Sequence, residues 1–357
     1  MRILVTGGAG FIGSHVIKRL LQEKENYVFN LDKLGYASST YMLDKLIQEN
    51  NCISSHQYKF FNIDLASKSE TENAIEEAKP NLIMHLAAES HVDRSIDGPE
   101  EFIKSNILGT YNLLEAARRY WSKLNADNKQ TFRFQHISTD EVFGSLGESG
   151  SFSEETPYDP RSPYSASKAS SDHLVKAWFH TYKLPIVLTN CSNNYGPWQF
   201  PEKLIPLVVF KAHQNKKIPI YGDGLNIRDW LFIDDHVEAL LLVAKKGLIG
   251  ESYCIGGNGE KSNKEVVLKI CEIMDKKFPS KGPHKNLIEF VKDRPGHDKR
   301  YSINPSKIIK NLGWKANHTF DEGLEETVNW YLDNIDWYEK ISSNKKNNFQ
   351  RLGKTNH

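Results

Sequence analysis

Two short segments of the chain carry side chains that can move protons. Tyr164 and Lys168 are four residues apart, so they share one face of the helix that we predict to begin there. A free phenol has a pKa of about 10, and a neighbouring cation favours the phenolate, which can remove a proton from an alcohol during hydride transfer. The second segment, Ser138-Thr139-Asp140-Glu141, places a hydroxyl and two carboxylates after a predicted strand. Ligands bind at this carboxyl edge in parallel sheets.

A glycine-rich turn follows the first predicted strand. Gly7, Gly10 and Gly13 form a G-x-x-G-x-x-G run. Such glycines permit a tight turn, close approach of a pyrophosphate and close packing of the next helix. Asp32, nineteen residues after Gly13, is placed to accept both ribose hydroxyls and to repel the extra phosphate of NADP. We therefore predict NAD, with NADP left open by the adjacent Lys33 and a solvated strand-end Asp as the alternative.

The elements that must position these residues alternate regularly. Apolar runs near 3–5, 27–31, 82–86, 132–137 and 186–188 are separated by helical patterns near 12–23, 68–78, 100–121 and 165–182. This pattern predicts an α/β fold: a Rossmann doubly wound parallel sheet with a smaller C-terminal substrate-binding lobe. We assign residues 1–192 plus 230–255 to the NAD-binding domain, 193–229 plus 256–335 to the nucleotide-sugar-binding lobe, and 340–357 to a disordered tail.

Composition excludes several classes of partner. The 357 residues include 46 basic and 45 acidic side chains, a balance that favours neither nucleic acid nor an anionic membrane. No apolar run approaches the roughly 18 residues that span a bilayer. The cysteines form neither a C-x-x-C motif nor a Cys/His cluster; they are Cys52, Cys191, Cys254 and Cys271. We expect a cytoplasmic protein with reduced thiols and no metal.

Taken together, the glycine run, Asp32, Thr139 and the Tyr/Lys pair resemble the extended short-chain dehydrogenase/reductase family, whose members rework nucleotide sugars. Within it, the adjacent Asp140 and Glu141 are similar to the pair of the 4,6-dehydratases. The resemblance implies that C4 is oxidised by NAD, that Asp140 protonates the leaving C6 hydroxyl, and that Glu141 removes the C5 proton before hydride returns to C6. One carboxyl must then be neutral while the other is ionised. The alternative is a simple turn pair at a strand end.

Five further stretches resemble the dTDP-glucose branch of these dehydratases, and the resemblance covers roughly residues 1–335; they are Leu86–Ser95, Cys191–Pro197, Phe200–Pro206, Ile227–Leu231 and Asp293–Asp298. It implies dTDP-glucose as the substrate, held by Ser90, Thr139, Asn193, Lys203, Leu204, Pro219, Tyr221, Arg228, Asn263, Arg294 and His297. It implies NAD contacts by Gly7, Gly10, Phe11, Ile12, Gly13, Asp32, Leu34, Asp64, Leu65, Leu86, Ala88, Ser105, Tyr164, Lys168 and Asn194.

Several alternatives stay open at this level. A planar guanidinium can grip a pyrophosphate with two parallel hydrogen bonds, yet Arg228 and Arg294 could also be solvated surface residues. Asp64 could meet adenine or merely form a turn. The pattern does not separate dTDP from UDP. A nucleotide-sugar 4-epimerase or decarboxylase, or a catalytically silent NAD-binding regulator, are the competing functions. The resemblance also implies a homodimer that pairs the helices near 100–121 and 165–182.

Overall fold

The computed structural model describes residues 1–49 and 57–343. The first half of the chain alternates strands and helices, in the order β1 Arg2–Thr6, α1 Phe11–Leu20, β2 Tyr27–Asp32, α2 Tyr41–Glu49, β3 Tyr58–Asn62, α3 Lys68–Ala78, β4 Leu82–His85, α4 Val92–Asp97, α5 Pro99–Phe102, α6 Gly109–Ser122, α7 Ala126–Thr131, β5 Arg133–Thr139, α8 Pro163–Tyr182 and β6 Ile186–Cys191. The second half continues with β7 Asn193–Tyr195, α9 Leu204–His213, β8 Ile218–Tyr221, β9 Ile227–Phe232, α10 Ile233–Lys246, β10 Ser252–Ile255, β11 Glu260–Ser262, α11 Asn263–Lys277, β12 Ile288–Val291, α12 Ser306–Leu312, α13 Phe320–Asp333 and α14 Ile335–Ser343.

Seven strands form one parallel sheet in the order β10-β6-β5-β4-β1-β2-β3. Every residue of β4 and of β6 is buried, as expected for strands covered by helices on both faces. The predicted Rossmann fold is therefore confirmed. Strand order reverses beside β1. β1 ends at the glycine turn, β4 ends just before the stretch Leu86–Ser95, and β5 ends within the Ser138–Glu141 segment. This switch point is where such sheets bind ligands.

Smaller sheets lie beyond β6 in the chain. β9 pairs with β7 in parallel and with β11 in antiparallel, and β8 pairs with β12 in parallel. α9 packs against both α11 and α13. Ser262 and Glu265 form a capping box that starts α11, and Thr319 and Glu322 form one that starts α13. These elements carry most of the residues that the sequence assigns to the nucleotide sugar.

Two helical segments differ from the sequence-based expectation. The single helix expected near 100–121 is observed as α5, a π-helical turn over Ile103–Leu108, and α6. A π turn adds one residue to the helical repeat, which hydrophobic periodicity does not reveal. The tail expected to be disordered from residue 340 is wrong for residues 340–343, because α14 extends to Ser343. The rest of that predicted tail, and Cys52, lie outside the described residues. Among the described residues, no helix is long and apolar enough to cross a membrane.

Candidate active site

The glycine turn forms one end of a cavity of about 330 Å³ along the carboxyl edge of the sheet, hereafter the cofactor cavity. Gly7 has φ +72°, a backbone conformation that favours glycine. A Cβ added to Gly13 would lie 2.2 Å from the carbonyl oxygen of Gly7, so the helix could not start this close to the strand with a larger residue. A Cβ on Gly10 would meet the same oxygen at 3.3 Å. This backbone cradle fits a pyrophosphate.

Asp32 lies at the end of β2, on the wall of the same cavity, and is only 5% exposed. Its carboxylate accepts hydrogen bonds from the backbone N–H of Ala9 at 3.0 Å and of Leu34 at 2.8 Å. The Ser38 side chain forms a third hydrogen bond with this carboxylate. A carboxylate offers about four acceptor sites, so capacity remains for a ribose hydroxyl. Burial is the largest influence on this group and raises its pKa. The geometry fits the predicted ribose contact.

Lys33, which left NADP open, is held by neighbouring side chains. Its ammonium donates to Ser105 Oγ at 2.7 Å and pairs with the carboxylate of Glu89 at 3.2 Å. Asp64 is 4.0 Å from the same ammonium and also accepts from the backbone N–H of Ala66 at 2.9 Å. Asp64 is thus a turn residue that also lines the cavity, and its predicted contact with adenine stays a prediction.

The structure gathers most of the residues assigned to the cofactor on this one cavity. Its walls include Gly7, Gly10, Phe11, Ile12, Gly13, Asp32, Asp64, Leu65, Leu86, Ala88, Ser105, Tyr164, Lys168 and Asn194. Leu34 lies apart from these walls: its backbone N–H bonds to Asp32, its φ is +55°, and its side chain is exposed. Within the described chain, no group of three or more His, Cys, Asp or Glu side chains could hold a metal ion.

Tyr164 and Lys168 lie on the first turns of α8, both buried against the cofactor cavity. Ser162 and Ser165 form a capping box at the start of this helix, with Pro163 at its first position. The Lys168 ammonium donates to the carbonyl oxygen of Ile137 at 2.9 Å. These contacts fix where the two side chains leave the helix.

The protein's own groups do not by themselves favour the phenolate of Tyr164, which we expect from Lys168 together with a nicotinamide cation. Burial raises the pKa of Tyr164 well above its ordinary value, and the nearby Glu141 carboxylate raises it further. A hydrogen bond with the hydroxyl of Thr139 acts in the opposite direction. The reason is that removal from water disfavours the charged form more than the protein's own donors favour it.

Asp140 and Glu141 follow β5 on a 3₁₀ turn, where the Thr139 hydroxyl accepts from the backbone N–H of Glu141 and donates to Asp140 Oδ1. Asp140 is 2% exposed, and burial followed by the charge of Glu141 raises its pKa well above the ordinary range. Burial also raises the pKa of Glu141, but Arg294, Arg228 and Lys203 oppose that change. The environments of the two carboxyls therefore favour a protonated Asp140 beside a more readily ionised Glu141.

A second cavity adjoins the first, hereafter the substrate cavity. Of the residues assigned to the sugar nucleotide, it is lined by Ser90, Asn193, Lys203, Leu204, Tyr221, Arg228, Asn263, Arg294 and His297. Thr139 lines the cofactor cavity, and Pro219 lies in β8 paired with Glu289, off the walls of both cavities. Glu141, Asn193, Asn194 and Lys203 line both cavities, so their meeting point, the junction, lies at Glu141; the adjacent Asp140 lines the cofactor cavity.

Both arginines are held at the substrate cavity by the protein. Arg228 is 5% exposed, donates to the carbonyl oxygens of Ile227 and Asp298, and lies 4.3 Å above the ring of Tyr301. Burial lowers its pKa. Arg294 donates from Nη1 to Asp93 Oδ1 at 3.1 Å, and the Tyr221 hydroxyl donates to the other oxygen of Asp93 at 3.3 Å. The alternative of freely solvated arginines therefore does not hold for either residue.

Sequence reasoning missed several residues of this site. Tyr301 supports Arg228, and its hydroxyl donates to Asp298 Oδ2 at 2.6 Å. Asp93 anchors Arg294 although the two are 201 positions apart in the chain. No local pattern marks such pairs. Asp93 does lie inside the matched stretch Leu86–Ser95, which is the signal that could have identified it.

Some buried polar atoms of the site have no hydrogen-bond partner among the described residues. They are Asp140 Oδ2, Ser192 Oγ, Asn193 Oδ1, Asn194 Oδ1 and Arg294 Nε. A buried polar atom without a partner costs about 1–3 kcal/mol. Such atoms, two amide oxygens, a hydroxyl, a carboxyl oxygen and a guanidinium N–H, suit a polar ligand that carries hydroxyls and phosphates.

Comparison with known proteins places these features together in one family. The family model for GDP-mannose 4,6 dehydratase matches residues 4–327. The chain is 50% identical over 357 residues to dTDP-glucose 4,6-dehydratase of Neisseria meningitidis, with 99% of each covered. It superposes with TM-score 0.85 and 39% identity on DesIV, the Streptomyces venezuelae dTDP-glucose 4,6-dehydratase solved with NAD and TYD bound, covering 96% and 100% of the two chains. UDP-glucose 4-epimerase of Thermus thermophilus, solved with NAD, gives TM-score 0.80 at 29% identity over 94% and 100%.

Proposed function

The chain belongs to the nucleotide-sugar 4,6-dehydratase family, on its dTDP-glucose branch, and we propose that it converts dTDP-glucose to dTDP-4-keto-6-deoxyglucose. The observation that carries this proposal is the adjacent pair Asp140 and Glu141 where the two cavities meet. Burial raises the pKa of both, but three cations oppose that change at Glu141 and leave Asp140 the more readily protonated. An epimerase of the same fold has no use for both an acid and a base there. NAD supplies the hydride acceptor at C4 and the donor at C6, so it is not consumed.

For the first step, we propose that Tyr164 removes the proton of the C4 hydroxyl. Thr139, hydrogen-bonded to the same phenol, orients that hydroxyl. Lys168 supplies the positive charge that the buried phenolate needs. Because burial raises the Tyr164 pKa in the protein alone, the binding of a cationic cofactor beside it would be part of its activation.

For the elimination, we propose that Glu141 takes the C5 proton and that Asp140 protonates the departing C6 hydroxyl. A ketone at C4 makes the C5 proton acidic enough for a carboxylate. Support comes from the three cations that favour ionised Glu141 and from the complete burial that favours protonated Asp140. The carboxyl of Asp140 also has an oxygen without a protein partner, which suits contact with the substrate.

We propose a division of labour between the two parts of the chain. Residues 1–192 with 230–255 would hold NAD, through the glycine turn, Asp32 and the other walls of the cofactor cavity. Residues 193–229 with 256–335 would hold the nucleotide sugar, with Arg228 and Arg294 on its diphosphate. The partners Tyr301 and Asp93 hold these guanidinium groups in place before the ligand arrives.

The test is mass spectrometry of dTDP-glucose incubated with the purified protein in deuterated water, without added NAD. We expect loss of one water and gain of one deuterium at C5. Two matched variants assign the steps: Tyr164→Phe should form no NADH on mixing, and Asp140→Asn should accumulate NADH because elimination slows. An unchanged substrate mass would contradict the proposed function and favour an epimerase. Wild-type turnover by Asp140→Asn would contradict the role of that residue.

We further propose a cytoplasmic homodimer. The helical segment from α5 to α6 and helix α8 expose apolar side chains together: Ile103, Leu108, Tyr111 and Tyr182. Exposed apolar surface on neighbouring helices is typical of a subunit interface. Light scattering of the purified protein should give twice the chain mass of 40.9 kDa, and a monomer at working concentration would contradict this proposal.

A further inference from the structure

A completely buried carboxylate lies one helical turn beyond Lys168. Asp172 is on the same face of α8 as Lys168, and its side chain is 0% exposed. Donors surround its two oxygens: His136 Nε2 at 3.0 Å, Ser138 Oγ at 2.9 Å, Tyr158 OH at 2.9 Å and Asn190 Nδ2 at 3.3 Å. None of the steps assigned above uses this group.

These contacts fix the protonation state of Asp172. A carboxylate that accepts several hydrogen bonds is stabilised in its ionised form, even when it is buried. Burial alone would raise the pKa of Asp172, but the hydrogen bonds and charges around it bring that pKa below the ordinary value. The side chain is therefore an anion, and an anion buried in this way requires a counter-charge.

The surrounding titratable groups do not supply that charge. Burial lowers the pKa of His136 on β5 and, further, that of His85 on β4, whose ring lies 5.1 Å from His136, so both rings are neutral at neutral pH. Burial raises the pKa of Cys191 on β6 to about 12. It also raises the pKa of Tyr158 and of Tyr164 above the ordinary value of a tyrosine, so all three groups are neutral. Two lysines of α8 lie four residues from Asp172. Lys176 is half-buried, and its ammonium lies 5.2 Å from the ring of Tyr158. Lys168 is the buried one, and its charge lowers the pKa of Asp172.

The buried ammonium of Lys168 likewise requires a negative charge nearby. Its ammonium is buried, and it donates to a neutral carbonyl oxygen, that of Ile137. Burial lowers its pKa, and Asp172 is the strongest influence in the opposite direction. An ammonium that lost its proton would no longer favour the phenolate of Tyr164. The two buried groups lie on successive turns of one helix, and the charge of each stabilises the ionised form of the other.

We propose that Asp172 is a positioning residue whose buried negative charge keeps Lys168 protonated, so that Lys168 can assist Tyr164. His136, Ser138, Tyr158 and Asn190 in turn hold Asp172 ionised. This inference rests on the proposed function only in taking Lys168 as the partner of Tyr164. The pairing of the two charges is independent of any substrate.

The first experiment measures the rate of NADH formation in a single turnover with dTDP-glucose as a function of pH. Asp172→Asn keeps the shape of the side chain and removes its charge, which lowers the pKa of Lys168. Lys168 then stays charged at low pH and loses its proton as the pH rises through the lowered pKa. The ratio of wild-type to variant rates should grow from about twofold near pH 6 to more than about tenfold near pH 9.

Tyr158→Phe is the matched control, because it removes one donor to Asp172 and leaves the charge. Its ratio to wild type should stay constant over the same pH range. Asp172→Ser also removes the charge and leaves room for a water among the same donors, so it serves if Asp172→Asn does not fold. A loss of rate by the same factor at every pH would overturn the proposal, since a merely structural defect has that form.

A thermal double-mutant cycle tests the pairing without any substrate. Lys168→Met, Asp172→Asn and the double variant are compared with wild type as purified. Each single variant leaves one buried ion without its partner, so the double variant should lose less stability than the sum of the two single losses. Additive losses would overturn the proposal. Lack of turnover by the wild type would instead contradict the proposed function and leave this cycle interpretable.

Discussion

The two ends of the ligand site differ in how their polar groups are satisfied. At the glycine-turn end, Asp32 accepts two backbone N–H groups, and Lys33 is bonded to Ser105 and Glu89. At the junction and the adjoining substrate cavity, several buried polar atoms have no partner within the described chain; they include Asp140 Oδ2, Asn193 Oδ1, Asn194 Oδ1 and Arg294 Nε. At the glycine-turn end the protein itself supplies partners for the charged groups, whereas the other end leaves more buried atoms to be satisfied by a ligand.

The same contrast appears in the charges. Burial raises the pKa of Asp32 at the glycine-turn end too, but there two backbone N–H groups oppose the shift. At the junction and the adjoining substrate cavity, burial raises the pKa of Asp140 well above its ordinary range, raises that of Glu141 and lowers that of Arg228, so each ionised form is less stable than it would be in water. Reactive groups held in this way reduce the stability of the fold. The comparison teaches that backbone shape holds the cofactor, whereas strained electrostatics prepare the chemistry. Changes at the two ends should therefore fail in different ways.

The largest effect is expected from adding a single methyl group at the glycine-turn end. Gly13→Ala places a Cβ 2.2 Å from the carbonyl oxygen of Gly7, and neither backbone can move without separating α1 from β1. We expect loss of copurifying NAD, a lower melting temperature and activity below about one thousandth of wild type. NAD released by denaturation, measured by absorbance, checks the first effect and thermal unfolding the second.

Gly10→Ala distinguishes an effect on folding stability from an effect on NAD binding at the glycine-turn end. Its Cβ would meet the Gly7 oxygen at 3.3 Å, which a small shift can relieve, but it would stand where a pyrophosphate approaches. This variant should melt like wild type and bind NAD more weakly. Gly147→Ala, whose Cβ would have nothing within 4 Å, is the control and should change neither property. Normal NAD content in Gly13→Ala would contradict the claim that the backbone shape of the glycine turn holds the cofactor.

At the substrate cavity, a conservative change should affect the substrate and leave NAD bound. Arg228→Lys keeps the charge but loses the planar group that donates to two carbonyl oxygens and stacks 4.3 Å from the Tyr301 ring. We expect KM for dTDP-glucose to rise by about 10- to 100-fold with wild-type NAD content. Steady-state kinetics measures KM, and NAD released by denaturation measures the NAD content. Arg19→Lys, far along α1 in a surface ion pair, is the control. Loss of NAD from Arg228→Lys would contradict the claim that the substrate cavity can be changed without affecting NAD binding.

The difference between the two ends also explains what the sequence could predict. The glycine turn, Asp32 and the Tyr/Lys pair are local patterns, because neighbouring residues or one helical face create the geometry. The parallel sheet was predicted from continuous apolar runs, since its strands are buried on both faces. Asp140 and Glu141 were found because they are adjacent in the chain.

What could not be predicted depends on contacts between distant segments. The support of Arg228 by Tyr301 and of Arg294 by Asp93 joins segments far apart in the chain. The direction of the Tyr164 pKa in the protein alone depends on burial, which no spacing reveals. The placement of Leu34 and Pro219 off the cavity walls is of the same kind, because a resemblance transfers positions without their surroundings.

The smallest expected effect is a change in the pH dependence of the free energy of unfolding when Asp140 is replaced by Asn. Asp140 has an ordinary pKa of about 3.9 when unfolded and a raised pKa when folded, so the folded protein binds a proton that the unfolded chain releases. Its contribution to stability is therefore full below about pH 3.9 and is lost as the pH rises through the folded pKa. Asn cannot titrate, so Asp140→Asn should gain stability over wild type as the pH rises, reaching about 1–2 kcal/mol. Thermal unfolding between about pH 5 and pH 9 measures the gain, with the exposed Asp97→Asn as the control that should show none. If Asp140→Asn were less stable than wild type at high pH, the junction would not be the part of the molecule where folding and chemistry compete.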